Sequence, residues 1–132
     1  MDQLSEAIPV VAGICIRDGE ILLSERPPGS HLAGYWEFAG GKLNPGESPR
    51  AALHREWKEE LAVNISEARE WTFIYEEFEE KSVLLLFFFL EFDGEAKPQE
   101  GQRICWATPE EALSMKLGPA DAKALRRLIQ EA

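Results

Sequence analysis

The chain has 132 residues, 45% of them apolar and 29% charged, which is the composition of an ordinary globular protein with one real core. Its 14 basic and 24 acidic residues leave a net charge of −10, which argues against a nucleic acid polymer as partner, because backbone binding needs a basic footprint. No apolar run reaches the length of a membrane span, so no membrane is expected.

In chain order, the opening MDQLSEA lacks the basic start and apolar core of a signal peptide, and a cytoplasmic setting is expected. Residues 8–16 (IPVVAGICI) are apolar and β-branched, Asp18-Gly19 marks a tight turn, and residues 20–24 (EILLS) read as the returning strand of a hairpin. Pro27-Pro28-Gly29-Ser30 starts a loop, and the aromatic stretch 31–38 (HLAGYWEF) leads to Gly40-Gly41. Asn44-Pro45-Gly46 is a turn. Ser48 can cap a helix with Pro49 at its first position, and the helix is expected to run to about Leu61.

Residues 70–78 (EWTFIYEEF) and 83–92 (VLLLFFFLEF) read as strands, the second continuously apolar, as a strand covered on both faces should be. Asp93-Gly94 closes it. A polar loop follows at 95–102, a short strand at 103–108, a helix at 109–115 capped by Thr108, and a last helix at 121–130. Cys15 and Cys105 lie far apart in no ligand motif and read as reduced thiols. Hairpin strands interrupted by helices predict an α+β fold, a mixed sheet sandwiched between helices, in one domain spanning 1–132.

The chemistry concentrates after Gly40-Gly41. At 3.6 residues per turn, Glu56, Glu59 and Glu60 fall within an arc of about 100°. Leu53, Trp57 and Leu61 form an adjoining apolar stripe that can anchor the helix. Such a face can be a solvated acidic surface, with Arg55 and Glu59 as an ordinary i,i+4 pair. That reading explains neither the double glycine nor the fourth acid, Glu47. Carboxylates at this density fit a hard divalent cation, Mg²⁺ or Mn²⁺, which also reconciles the acidic chain with a phosphate-bearing ligand.

Gly41, five residues to Glu47, seven to Arg55-Glu56, then Glu59-Glu60, reproduces the Nudix box, G-x5-E-x7-R-E-U-x-E-E-x-G-U. Trp57 departs at an aliphatic position and Ala62 at the glycine, where positive φ would strain an alanine. WEFAGGK, PEEAL and GPAD extend the resemblance to the MutT-like branch over nearly the whole chain.

The resemblance implies an α/β/α sandwich and a Mg²⁺-dependent nucleoside triphosphate diphosphatase releasing a nucleoside monophosphate and pyrophosphate. It implies metal ligation by the Gly41 carbonyl, Glu56 and Glu60, with Glu59 bridging or assisting. Arg55 would orient Glu56 or Glu47. Glu100, on its own only a loop glutamate, resembles an acid used outside the box as ligand or general base, and Glu56 is the rival for the base.

Base and sugar contacts are implied for Arg26, His31, the segment from Glu37 to Gly40, and Asp121. Each has an ordinary alternative: a surface charge for Arg26, a loop histidine for His31, a core aromatic for Phe38, a helix N-cap for Asp121. An ionised aspartate only accepts hydrogen bonds, which suits the amino group of cytosine, whereas a protonated one can also read a guanine-like edge. The substrate is expected to be 8-oxo-dGTP or a (d)CTP-type nucleotide. Another nucleoside diphosphate derivative, or a non-catalytic nucleotide-binding module, is the alternative. A monomer or homodimer is expected.

Overall fold

The computed structural model describes residues 7–131, so the signal-peptide reading of the opening residues falls almost wholly outside the described residues. In chain order the strands before the first helix are β1 (Ile8–Ile14), β2 (Ile16–Arg17), β3 (Glu20–Glu25), β4 (Trp36–Glu37) and β5 (Gly40–Lys42). After helix α1 (Pro49–Leu61) come β6 (Asn64–Glu77), β7 (Ser82–Asp93), β8 (Ile104–Ala107), α2 (Pro109–Ala112) and α3 (Pro119–Glu131).

The apolar runs pair with each other. β1 and β7 lie parallel, Ile8 opposite Val83 through Ile14 opposite Phe89. β5 and β6 flank them antiparallel, giving a mixed sheet in the order β5-β1-β7-β6. β2, β3 and β4, with β8 paired to β3, form a second, antiparallel sheet.

The expected strand 8–16 is therefore two. It breaks at buried Cys15, so β1 enters the mixed sheet and β2 the other. Only Ile16↔Ile21 and Arg17↔Glu20 form the hairpin. Asp18 (φ 51°) and Gly19 (φ 78°) give its turn the left-handed pair that matches strand twist. β6 starts six residues before the expected 70, because acidic residues and two register shifts (Ile65/Glu67 and Glu70/Thr72) hide its alternation. The helix expected over 109–115 is one turn, closed by a capping box between Thr108 and Glu111.

α1 covers one face of the mixed sheet. Its Ala52, Leu53, Trp57 and Leu61 pack against Val11, Phe88, Leu90 and Phe92. α3 covers the other with Ala120, Ala124 and Leu125, against Ile14, Phe38, Ile74 and Phe87. This is the α+β sandwich expected. Ser48 Oγ accepts the Ala51 N–H at 3.1 Å, and Pro49 occupies the first turn.

Trp57 is fully buried and donates its indole N–H to the Ala39 carbonyl at 2.9 Å. Gly13 makes room for it, since a Cβ there would lie 2.9 Å from that nitrogen and 2.4 Å from Leu90 Cδ2. The unusual box tryptophan thus anchors the helix both by apolar burial, about 2–3 kcal/mol, and by a hydrogen bond. α1 ends at Ala62, which takes φ 57°, ψ 39° and returns its N–H to the Lys58 carbonyl at 3.0 Å. An alanine in this conformation costs about 1 kcal/mol, the strain anticipated for the missing glycine. No helix among the described residues is long and apolar enough to cross a membrane.

Candidate active site

α1 and β5 meet where the acids cluster. Gly41 faces Glu56, and a Cβ at Gly41 would lie 2.4 Å from Glu56 Cδ, so the glycine leaves the space the carboxyl fills. Gly40 serves the fold instead. A Cβ there would strike the Val11 carbonyl oxygen at 1.8 Å, so only glycine lets β5 lie this close to β1.

Arg55 organises the acids around it. Its Nε and Nη2 form a fork onto Glu47 at 2.8 and 2.9 Å, Nη1 reaches Glu56 at 2.9 Å and Glu59 at 3.2 Å, and Nη2 also donates to the Lys42 carbonyl at 2.9 Å. A guanidinium has five N–H donors in fixed directions, and here each has an acceptor. Glu47 is held far down, at about 2, first by the Arg55 hydrogen bonds and then by the Asn44 N–H. Glu59, with a side chain 57% exposed, shares the Arg55 Nη1 with Glu56 and is otherwise open to solvent.

Glu60 is different. It is partly buried, and its carboxyl is pushed well above the usual carboxylate range, first by desolvation, then by the hydrogen bond and charge of Glu56, then by Glu37 and Glu100. Glu37, Glu60 and Glu100 line a pocket of about 80 Å³ with Arg26 and buried Gln102. The Glu100 loop is thus brought to the helix acids. Among the described residues no three acids already converge as a ready cation cage. The donor set nonetheless fits a hard cation, being all oxygen and carrying repulsion between neighbouring carboxyls that a dication would relieve.

Beside this cluster lies a second pocket of about 150 Å³, lined by Arg26, His31, Glu37, Gly41, Asp121 and apolar side chains including Leu32 and Leu85. Arg26 spans the two pockets, pairing with Glu37 at 3.3 Å and donating through Nε to the His31 carbonyl at 2.9 Å. Burial raises the Glu37 carboxyl to about 7 despite Arg26. His31 stands edge-on to Phe78, ring centroids 4.8 Å apart.

Asp121 is not the N-cap it resembled. α3 begins at Pro119, and the Ala122 N–H bonds to the Gly118 carbonyl at 2.9 Å. Asp121 is buried inside the first turn, where Oδ1 accepts the Phe38 N–H at 3.0 Å. Desolvation, then the charge of Glu37, raises its carboxyl to about 8. The Phe38 ring is core, 2% exposed and edge-on to Phe87, so only its backbone contributes here. Tyr35, Phe78 and Lys81 line the same pocket with no motif to mark them, and Gly118 lines it from the GPAD segment.

Residues 7–128 match the model of the NUDIX domain. Over 123 residues the chain is 43% identical to the CTP pyrophosphohydrolase of Escherichia coli K12, covering 92% of this chain and 91% of that one. It is 35% identical over 130 residues to an 8-oxo-dGTP diphosphatase of Haemophilus influenzae, covering 94% and 93%. The solution structure of the E. coli ORF135 protein superposes with a TM-score of 0.84 at 39% identity, covering 98% of this chain and 94% of that one. A box helix that presents its acids beside Gly41, on a chain matched over nearly its full length, makes this protein a member of the NUDIX family of hydrolases.

Proposed function

We propose that the chain is a single-domain, Mg²⁺-dependent nucleoside triphosphate diphosphatase that converts a nucleoside triphosphate and water to a nucleoside monophosphate and pyrophosphate. Mn²⁺ is the natural substitute. One observation carries the reading: Glu37, Glu60 and Glu100 line one pocket, Glu56 bears on Glu60 from beside Gly41, and Arg55 spends every N–H on fixing the acids and strand around them.

The Gly41 carbonyl, Glu56, Glu60 and Glu100 would hold the cation, with Glu59 assisting. When bound, it supplies positive charge to the phosphate oxygens and acidity to a nearby water. The protein's own part is placement and proton handling. Glu56 accepts the proton as water attacks the β-phosphorus, with Glu100 the other candidate; the new O–P bond forms as the bond from the α–β bridging oxygen to that phosphorus breaks. The monophosphate leaves with that oxygen. Arg55 keeps the Glu56 carboxyl aimed, since the two are bonded at 2.9 Å.

Arg26, His31, Glu37 and Asp121 would bind the nucleoside, with the Phe38 N–H holding Asp121 in place and Gly40 keeping the adjoining strand pair close. With its carboxyl raised to about 8, Asp121 carries a proton at neutral pH and can donate as well as accept. That supports either a cytosine or an oxidised guanine edge, in keeping with relatives that bear both names. The role that follows is clearing such nucleotides from the pool.

The test is kcat/KM in Mg²⁺ across 8-oxo-dGTP, dGTP, CTP, dCTP and 5-methyl-dCTP, with ADP-ribose and a dinucleotide as controls. A preference for 8-oxo-dGTP or a cytosine nucleotide, with pyrophosphate as product, supports the reading. Preference for either control, or tight binding with no turnover, refutes it.

A further inference from the structure

We infer that Gln102 is a positioning residue that holds Glu100 to the end of α1, an inference that rests on the reading of Glu100 as a functional acid. Glu100 lies in an irregular stretch between β7 and β8, with no strand or helix of its own to fix it. That stretch is tied to α1 all the same. The Lys97 N–H donates to the Leu61 carbonyl at 2.8 Å and the Gln99 N–H to the Glu60 carbonyl at 2.9 Å. These are carbonyls that a helix end leaves without partners of its own.

Gln102 closes the tie from the other side. Its Nε2 donates to the same Glu60 carbonyl at 3.2 Å, and its Oε1 accepts the Glu100 N–H at 2.8 Å. Gly101, at φ 74°, turns the chain so that the side chain folds back over Glu100. The residue is 5% exposed, and both ends of its amide are satisfied.

The two residues it joins by their backbones, Glu60 and Glu100, both line one pocket with Glu37. One amide therefore sets the spacing between an acid on the helix and an acid on a loop. The task needs a donor and an acceptor at a glutamine's reach. Glutamate lacks the donor, methionine lacks both, and asparagine is a methylene shorter. Nothing about a connecting loop otherwise requires a buried amide at this point.

The test compares wild type with Gln102→Met, of similar length but without the hydrogen bonds, and with Gln102→Leu should the first not fold. Amide hydrogen exchange is read at Glu100 in the metal-free protein, and kcat and KM in Mg²⁺, alone and in a Glu100→Gln background. The Glu100 amide is expected to exchange at least ~10-fold faster in Gln102→Met while α1 amides stay protected, and kcat to fall ~10-fold or more with KM little changed, the usual effect of removing a group that orients a ligand. In the Glu100→Gln background the same substitution should cost less than ~2-fold, because the two act as one unit.

Unchanged exchange at Glu100, or an equal loss in both backgrounds, overturns the inference. A Glu100→Gln enzyme at the wild-type rate overturns the reading of Glu100 itself, and faster exchange in Gln102→Met would then leave Gln102 as a loop tie without a catalytic part.

Discussion

Gly41→Ala puts a methyl group into the space of the Glu56 carboxyl. The added Cβ would lie 2.4 Å from Cδ, 2.5 Å from Oε2 and 2.7 Å from Oε1, whereas ordinary contact begins at 3.4 Å, so the carboxyl must retreat by about 1 Å (3.4 − 2.4). Glu56 can do so by rotating the end of a flexible side chain, and Gly41 has no positive φ that an alanine would resist. The cost to stability is therefore small, below about 1 kcal/mol. The cost to the reaction is not, because a misplacement of about 1 Å is worth roughly 10²-fold in rate.

Gly40→Ala is the contrasting control. Its Cβ would meet the Val11 carbonyl oxygen at 1.8 Å, and backbone in a paired strand cannot rotate away. Pyrophosphate release, Mn²⁺ binding by electron paramagnetic resonance, and thermal melts separate the two. Gly41→Ala should lose ~10²-fold in kcat and bind Mn²⁺ more weakly while melting within a few degrees of wild type, and Gly40→Ala should lose the fold first. A Gly41→Ala enzyme with wild-type kcat and Mn²⁺ affinity would show that the position of Glu56 against this glycine does not matter to the reaction.

Three further outcomes follow from the same geometry. Ala62→Gly should raise stability by about 0.5–1 kcal/mol in thermal or urea unfolding, since glycine takes the left-handed conformation without strain. Arg55→Lys keeps the charge but loses the fork, and kcat should drop ~10-fold or more. Because Arg55 holds the folded Glu47 carboxyl at about 2 against an ordinary 4.5, the stability it contributes is full above that ordinary value and lost as pH falls toward 2; the gap in melting temperature between wild type and Arg55→Lys should narrow over that range. Asp121 has the opposite sign. Its carboxyl is raised from 3.8 to about 8, so its contribution is full below the lower value and lost as pH rises to the upper one, and Asp121→Asn should gain on wild type in melting temperature between about pH 4 and pH 8. A constant difference across that range would refute the buried, neutral Asp121.

The reach of the sequence can be judged from particular residues. The box helix was legible because its stripe of Leu53, Trp57 and Leu61 and its acids repeat at helical spacing, and because Ser48-Pro49 announces its start. β7 was legible as an apolar run. The break at Cys15 was not, since IPVVAGICI continues its β-branched pattern across the point where the chain changes sheets. β6 was cut short because register shifts disrupt the period on which alternation depends. Asp121 and Phe38 were both implied as base contacts, with a helix cap and a core aromatic as the ordinary alternatives; the Phe38 ring is core, and its N–H bonds the buried Asp121 carboxyl across more than eighty residues of sequence, a link that no local rule shows. The nucleoside pocket was the least legible part. It gathers Arg26, Phe78, Lys81 and Gly118 from separate loops, and no spacing rule links them.

A catalytic site built from the carboxyls around Glu60 dictates how wild type and Glu60→Gln must compare in Mg²⁺-dependent release of pyrophosphate from the preferred nucleoside triphosphate. The substitution keeps the side chain's volume and removes its ability to become a cation-binding carboxylate. Orders of magnitude less activity, with an unchanged circular dichroism spectrum and melting temperature no lower than wild type, is the predicted result. Near-wild-type turnover by a folded Glu60→Gln protein would contradict the account.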